Sequence, residues 1–242
     1  MEWTKTKGIL LLVIIAGIFL SSLWILGGGN LIEGDGALFF LLNPHTLTLY
    51  DEFFLLFTNW GPGEFGMGVY YMIALLLVLF LLSLKYNSLR PMRFMILIVV
   101  GGILIGYLGI TQFGLKILIN RPRPFMDPAM VSNAWSLFSP SELSEIFWDT
   151  SFPSGHTTTG FIFATSFILL FKKYWIRALA LAYGILMGYA RIFIGVHYPL
   201  DVFIGSLIGI LVIAGLYLLF KRYLLPKLPW FQLEEAAPEK KP

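Results

Sequence analysis

The chain has 242 residues, of which 57% are hydrophobic and only 13% are charged. A soluble domain carries about 25% charged residues because its surface must be solvated. The composition therefore excludes a soluble domain, an intrinsically disordered chain and a basic nucleic-acid-binding protein. The sequence contains no Cys, which also excludes disulfides and Cys-ligated zinc. These figures predict an integral membrane protein.

Six apolar segments are candidates to cross a bilayer, whose hydrocarbon core needs about 20 apolar residues in a helix. In chain order they are residues 8–27, 66–84, 94–119, 156–171, 176–194 and 199–220. No small-residue cleavage site follows the first segment, so we expect it to be retained rather than removed as a signal peptide. The sequence thus predicts an all-α, six-helix transmembrane domain over residues 1–225 and a cytoplasmic tail over residues 226–242.

The charges are distributed unequally between the two predicted sides of the membrane. The segments 1–7, 85–93, 172–177 and 221–242 hold 13 of the 17 Lys and Arg residues, whereas the opposite side holds 10 of the 14 acidic residues. Cytoplasmic loops are enriched in Lys and Arg. Both termini are therefore predicted to be cytoplasmic, in a multi-pass protein of the plasma membrane.

Two structural predictions concern the packing of these segments. The outer segment 28–65 contains five acids and no Lys or Arg, and its stretch ALFFLLNPH is predicted to lie on the membrane surface as an amphipathic helix. Pairs of glycines spaced by four residues predict close helix contacts, although 24 glycines make each single pair weak evidence. The pairs are Gly102/Gly106, Gly184/Gly188 and Gly205/Gly209.

Four basic residues remain on the otherwise acidic outer side: Lys116, Arg121, Arg123 and Arg191. A single one could extend to the lipid headgroups, because long basic side chains bury their stems and expose their charge. Several cations that converge without nearby acids instead predict a site for an anion with several oxygens. Arg binds phosphate bidentately and Lys adds a point charge, so phosphate is the expected anion.

The sequence Pro153-Ser154-Gly155-His156 precedes the fourth predicted span. Ser154 is a favourable N-cap, and the amides of Gly155 and His156 fall in the first turn, where a helix N-terminus binds phosphate. An ordinary helix cap would explain Ser154 and Gly155, but it would not explain His156.

His197 and Asp201 have a spacing that lets the carboxylate orient the imidazole as a nucleophile. The alternative is that Asp201 caps the helix dipole. Only His156, His197 and Asp201 are available as metal ligands at this level, and the surrounding cations would repel a metal ion, so no metal is expected. The third histidine, His45, shows no partner pattern and is expected to be a surface residue.

These segments resemble the tripartite motif of the type 2 phosphatidic acid phosphatase (PAP2) superfamily. Lys116 to Arg123-Pro124 is similar to K-x6-R-P, and Pro153 to His156 is similar to P-S-G-H. Arg191, His197 and Asp201 are similar to S-R-x5-H-x3-D, except that Ala190 replaces the usual Ser. Arg121 lies outside the motif and is expected to have only a supporting role.

The resemblance implies a metal-independent phosphatase that uses no cofactor and proceeds through a phosphohistidine. By this resemblance His197 is the nucleophile, Asp201 orients it, and His156 protonates the leaving group and then activates water. The resemblance also implies a set of groups that hold the phosphoryl oxygens. These are Lys116, Arg123, Ser154, Gly155 and Arg191.

A site at the outer face favours a carrier-lipid pyrophosphate, of undecaprenol or dolichol, as the substrate. Phosphatidylglycerophosphate, phosphatidic acid and diacylglycerol pyrophosphate are alternatives, as is transfer of the phosphoryl group to another hydroxyl. A lipid or anion transporter is the alternative outside the enzymes, although transporters commonly bind substrate near the bilayer midplane. The expected partners are a lipid phosphate or pyrophosphate and membrane lipids, with no nucleic acid.

Overall fold

The computed structural model describes residues 2–44, 48–59, 67–86, 89–127, 133–138, 150–224 and 226–227. Within these ranges the chain is helical and contains no strand, which confirms the predicted all-α class. The longer helices are α1 (Glu2–Leu26), α2 (Leu31–Leu42), α3 (Asp51–Asn59), α4 (Met67–Lys85), α5 (Arg90–Gly102), α6 (Gly155–Leu170), α7 (Tyr174–Phe193) and α8 (Pro199–Leu219). Residues 228–242, most of the predicted tail, lie outside the described residues, as does His45.

Each of the six predicted spans coincides with a helix. By length and apolar composition, three described helical stretches can cross a membrane: Met92–Met126, Tyr174–Phe193 and Pro199–Leu224. A fourth is added if the bent pair of α1 and α2 forms one span, and α6 is apolar but short. The described residues thus contain three or four helical stretches long and apolar enough to cross a membrane, whereas the count of six and the orientation stay predictions.

The chain bends sharply between α1 and α2, and the angle between the two helices is 92°. Asn30 caps α2, since its side-chain oxygen accepts the Ile32 N–H at 2.9 Å. The two helices approach so closely that a Cβ on Gly34 would lie 1.7 Å from the carbonyl oxygen of Leu23. Residues 37–42 of the predicted surface stretch are therefore helical, and their position at a membrane surface stays a prediction. Asp35, just before that stretch, is completely buried.

Helix α6 packs against both α7 and α8, and glycines allow these contacts. A Cβ on Gly205 of α8 would lie 2.7 Å from the carbonyl oxygen of Ser154. A Cβ on Gly209 would lie 2.7 Å from the carbonyl oxygen of Thr158. The predicted close contacts are confirmed at all three glycine pairs, since the others meet side chains of neighbouring helices within 3.5 Å.

Helix α5 continues as a π-helical segment, Ile103–Leu115, and then as one α-helical turn, Lys116–Ile119. In the π segment, the Thr111 hydroxyl donates to the carbonyl oxygen of Gly106 at 2.9 Å and lies 3.3 Å from the Thr158 hydroxyl of α6. A π-helical segment changes the direction in which later side chains point, and such segments occur frequently at functional sites. This one ends directly before Lys116.

Candidate active site

All the residues predicted to form the site are buried in the structure. Gly155 is buried and the other residues are at most 7% exposed, which for so many charged groups requires mutual pairing or a bound ion. They are Lys116, Arg123, Ser154, Gly155, His156, Arg191, His197 and Asp201.

His197 lies in the turn between α7 and α8. Gly195 has a φ of 76°, a left-handed conformation that favours glycine, and this conformation reverses the chain after α7. The N–H groups of Val196 and His197 then both donate to the carbonyl oxygen of Arg191, each at 3.2 Å. The backbone therefore fixes His197 relative to Arg191.

The contacts of the His197 ring determine where its proton lies. Nη1 of Arg123 is 3.1 Å from Nε2, whereas Nδ1 is 3.4 Å from the Ser151 hydroxyl and 3.6 Å from Oδ2 of Asp201. A guanidinium can only donate hydrogen bonds, so Nε2 carries the lone pair and Nδ1 carries the proton. Burial and the neighbouring Arg123 lower the pKa of His197 to about 3, which makes the ring neutral at physiological pH.

Asp201 has more partners than the sequence suggested. Its Oδ2 accepts hydrogen bonds from the Ser151 hydroxyl and, at 2.9 Å, from the N–H of Tyr198, and its Oδ1 lies 2.9 Å from Nη1 of Arg121. The spacing in the sequence indicated only His197 as a partner. The two interpretations of Asp201 are also compatible, because the carboxylate that faces His197 also caps the first turn of α8.

Arg121 lies between two fully buried carboxylates. Its Nη1 is 2.7 Å from Oδ2 of Asp35 and 2.9 Å from Oδ1 of Asp201, and its guanidinium stacks over the Tyr198 ring at 3.8 Å. The expectation that the outer cations lie away from acids is therefore wrong for Arg121. Sequence reasoning missed Asp35. The available signal was an acid between two glycines, in a stretch whose only other charged residue is Glu33.

The N-terminus of α6 is joined directly to α8. The prediction of Ser154 as N-cap is confirmed, since its hydroxyl oxygen accepts the Thr157 N–H. The N–H of Ser154 donates to the carbonyl oxygen of Asp201 at 3.0 Å. This bond places the first turn of α6, with Gly155 and His156, beside the residues of the third motif.

Lys116 and Arg191 reach the same region through other elements. The Thr150 hydroxyl donates to the carbonyl oxygen of Lys116 at 3.3 Å. The next residue, Ser151, donates to Asp201, so Lys116 is linked to the site through this pair of residues. Arg191 at the end of α7 donates from Nη1 to the Thr58 hydroxyl of α3 at 2.8 Å. Ser151 and Thr58 were not anticipated, because neither belongs to a recognisable pattern.

The site combines buried cations, a neutral imidazole and a helix N-terminus. Among the described residues, no group of three or more His, Asp or Glu side chains is arranged to hold a metal ion. The cations and the helix N-terminus suit a phosphoryl group, and an imidazole whose Nε2 is unprotonated suits attack on phosphorus once Nε2 turns from Arg123 to the substrate.

Comparison with known proteins gives a family match. The family model of the PAP2 superfamily matches residues 95–224, a range that includes all three motifs. A lipid A 1-phosphatase of Rhizobium johnstonii is 40% identical over 116 residues, which are 44% of this chain and 44% of that protein. The chain therefore spans less than half the length of that relative.

Two further matches cover more of the chain. An undecaprenyl-diphosphatase of Sulfolobus acidocaldarius is 27% identical over 201 residues, which are 83% of this chain and 84% of that protein. The fold is similar to the crystal structure of a transmembrane PAP2-type phosphatidylglycerolphosphate phosphatase from Bacillus subtilis, with a TM-score of 0.59 at 19% identity. That similarity covers 88% of this chain and 96% of that structure.

Proposed function

We propose that this chain, which belongs to the PAP2 superfamily, hydrolyses a membrane lipid phosphate or pyrophosphate through a phosphohistidine at His197, without a metal ion. One observation carries the proposal. The buried ring of His197 is neutral, with its Nε2 lone pair beside Arg123 and its Nδ1–H directed toward Asp201. This is the protonation state that a histidine nucleophile needs.

In the first step Nε2 of His197 attacks phosphorus, an N–P bond forms and the bond from phosphorus to the leaving oxygen breaks. The ring becomes positively charged, and the carboxylate of Asp201 stabilises it through the Nδ1–H. His156 donates a proton to the leaving oxygen. In the second step His156 accepts a proton from water, the water oxygen bonds to phosphorus and the N–P bond breaks.

The phosphoryl oxygens are held by the buried basic side chains and by the start of α6. The transition state carries more charge on its equatorial oxygens than the substrate does, so fixed cations and N–H groups stabilise it selectively. The burial of these groups supports this role, because the interaction of charges is stronger away from water. The groups are Lys116, Arg123, Arg191, Ser154 and the Gly155 amide.

A polyprenyl pyrophosphate, of undecaprenol or dolichol, is the substrate that we favour. A relative that aligns with 83% of the chain is named undecaprenyl-diphosphatase, and the charge distribution predicts a site at the outer face of the plasma membrane, where carrier-lipid pyrophosphates remain after glycan transfer. Phosphatidylglycerophosphate and phosphatidic acid are the alternative substrates. Transfer of the phosphoryl group to a lipid or sugar hydroxyl is the alternative reaction.

The test is phosphate release by the purified protein in detergent with EDTA, measured on a panel of lipid phosphates and pyrophosphates. We expect release to persist in EDTA, to be fastest with a polyprenyl pyrophosphate, and to be lost in His197→Ala. His45→Ala is the matched control, because it removes the one histidine that has no assigned role, and it should leave turnover unchanged. Loss of turnover in EDTA that added metal restores would contradict the metal-free mechanism.

Binding separates an enzyme from a lipid or anion transporter. A phosphatase with His197→Ala should still bind the substrate, because the cations and the start of α6 remain, but it should not turn over. If the unmodified protein binds the lipids and releases phosphate from none of them, the phosphatase proposal is wrong and a transporter is favoured.

A further inference from the structure

Asp35 is a buried carboxylate that the mechanism above does not use, and it lies outside the range matched by the family model. Its side chain is 0% exposed, although an isolated buried charge is costly. Its Oδ1 accepts the N–H of Leu200 in the first turn of α8 at 2.8 Å, and its Oδ2 lies 2.7 Å from Nη1 of Arg121. The first contact joins α2 directly to the start of α8, and the second joins α2 to Arg121, which in turn contacts Asp201 of α8.

The three side chains form a row in which one guanidinium serves two carboxylates. A single nitrogen, Nη1 of Arg121, contacts Asp35 on one side and Asp201 on the other. With both acids ionised, the row carries one net negative charge. If Asp35 were neutral, Arg121 would compensate Asp201 alone and the row would carry no net charge.

We infer that Asp35 is a positioning residue that balances Arg121, so that Asp201 keeps the negative charge with which it stabilises the His197 imidazolium. The inference rests on the proposed function, because in that mechanism phosphorylation at Nε2 makes the otherwise neutral ring cationic while Nδ1–H faces Asp201. Arg121 holds Asp201 in place. Asp35 prevents that contact from neutralising the carboxylate.

A purely structural role for Asp35 makes a different prediction. If Asp35 only attached α2 to α8, its replacement would lower the thermal stability and the amount of active protein, while each folded molecule would keep its turnover number. A role in charge balance instead lowers the turnover number itself and depends on whether Arg121 is present.

The first variant is Asp35→Asn, which keeps the size of the side chain and an oxygen for the Leu200 N–H but removes the charge. We expect kcat to fall about tenfold, whereas KM should change less than twofold. Loss of a residue that orients a metal ligand typically lowers activity by about 10-fold to 100-fold, and we take the lower end for Asp35, which acts through Arg121. Glu33→Gln is the matched control, since Glu33 is an exposed acid on the same helix. It should leave kcat and KM unchanged.

The double variant Asp35→Asn with Arg121→Gln separates charge from contact. It restores one net negative charge to the row, so we expect kcat to recover to within about fivefold of the unmodified enzyme, a difference of about 1 kcal/mol in barrier. Further loss relative to Asp35→Asn would overturn the inference. If Asp35→Asn alone does not fold, the double variant still tests the inference by the same comparison with the unmodified enzyme.

Thermal unfolding is followed for every variant, and kcat is expressed per folded molecule. Unchanged kcat in folded Asp35→Asn would overturn the inference while leaving the phosphatase proposal intact. Absence of phosphate release from the unmodified protein, with His197→Ala indistinguishable from it, would instead overturn the proposed function. The two failures are therefore distinguishable in one set of assays.

Discussion

The part of the chain that matches the PAP2 family, residues 95–224, and the helices α1–α3 contribute differently to the same buried site. The matched part supplies the predicted nucleophile, acid and phosphate-binding groups, all in recognisable motifs. The helices α2 and α3 supply Asp35 and Thr58, which contact Arg121 and Arg191. In the proposed mechanism the motif residues carry the chemistry, whereas α2 and α3 contact two of the arginines around it.

The largest effect should come from separating α6 and α8 within the matched part. Gly205→Ala would place a Cβ 2.7 Å from the carbonyl oxygen of Ser154, which forces the two helices apart. Because a displacement of 1 Å at a reacting site can cost about 100-fold in rate, we expect a loss of that order in kcat/KM. Gly215→Ala on the same helix meets nothing within 4 Å and should be neutral. Equal activity of the two variants would contradict the assigned packing.

The next largest effect should come from disturbing the packing of α2 against α1. Gly34→Ala would place a Cβ 1.7 Å from the carbonyl oxygen of Leu23 and so would displace α2, with Asp35, from α1. We expect a loss of about 30-fold in kcat/KM, less than for Gly205→Ala because the motifs stay together. Gly17→Ala in α1 meets nothing within 4 Å and is the control. If both variants keep full activity, the N-terminal helices do not support the site.

A smaller effect is expected at Thr58. Thr58→Val removes the hydroxyl that accepts from Nη1 of Arg191 but preserves the shape of the side chain. Loss of such a hydrogen bond costs about 1 kcal/mol, so KM should rise about threefold to tenfold with little change in kcat. Thr58→Ser keeps the hydroxyl and should restore KM. A change confined to kcat would contradict a role in holding a phosphate-binding arginine.

The last prediction concerns stability rather than rate, and is a dependence of stability on pH. His197 has a pKa of about 3 in the folded protein and about 6.5 when unfolded, so between these values only the unfolded chain binds the proton. Folding is therefore favoured above about pH 6.5 and loses stability as the pH falls toward 3. The thermal midpoint should fall less between pH 7 and pH 5 in His197→Asn than in the unmodified protein. Identical shifts would contradict a buried neutral His197.

The sequence predicted the fold class and the motif residues because both follow from local patterns. Long apolar runs located the helices, and the motifs around Lys116, His156 and His197 located the three segments that the structure brings together. Asp35 could not be assigned in the same way, because its hydrogen bond to Leu200 joins residues 165 positions apart and follows from the bend between α1 and α2. The pairing of Arg121 was missed for the same reason.

The most direct test of the central claim is to trap the phosphorylated enzyme. In His156→Ala, an activated aryl phosphate needs no protonation of its leaving group, so His197 should still be phosphorylated, whereas hydrolysis should be slow. We predict a burst of about one equivalent of aryl alcohol per enzyme, with phosphate bound to the peptide that contains His197 after an alkaline quench. Phosphate on another side chain, or steady turnover with none bound, would contradict the account.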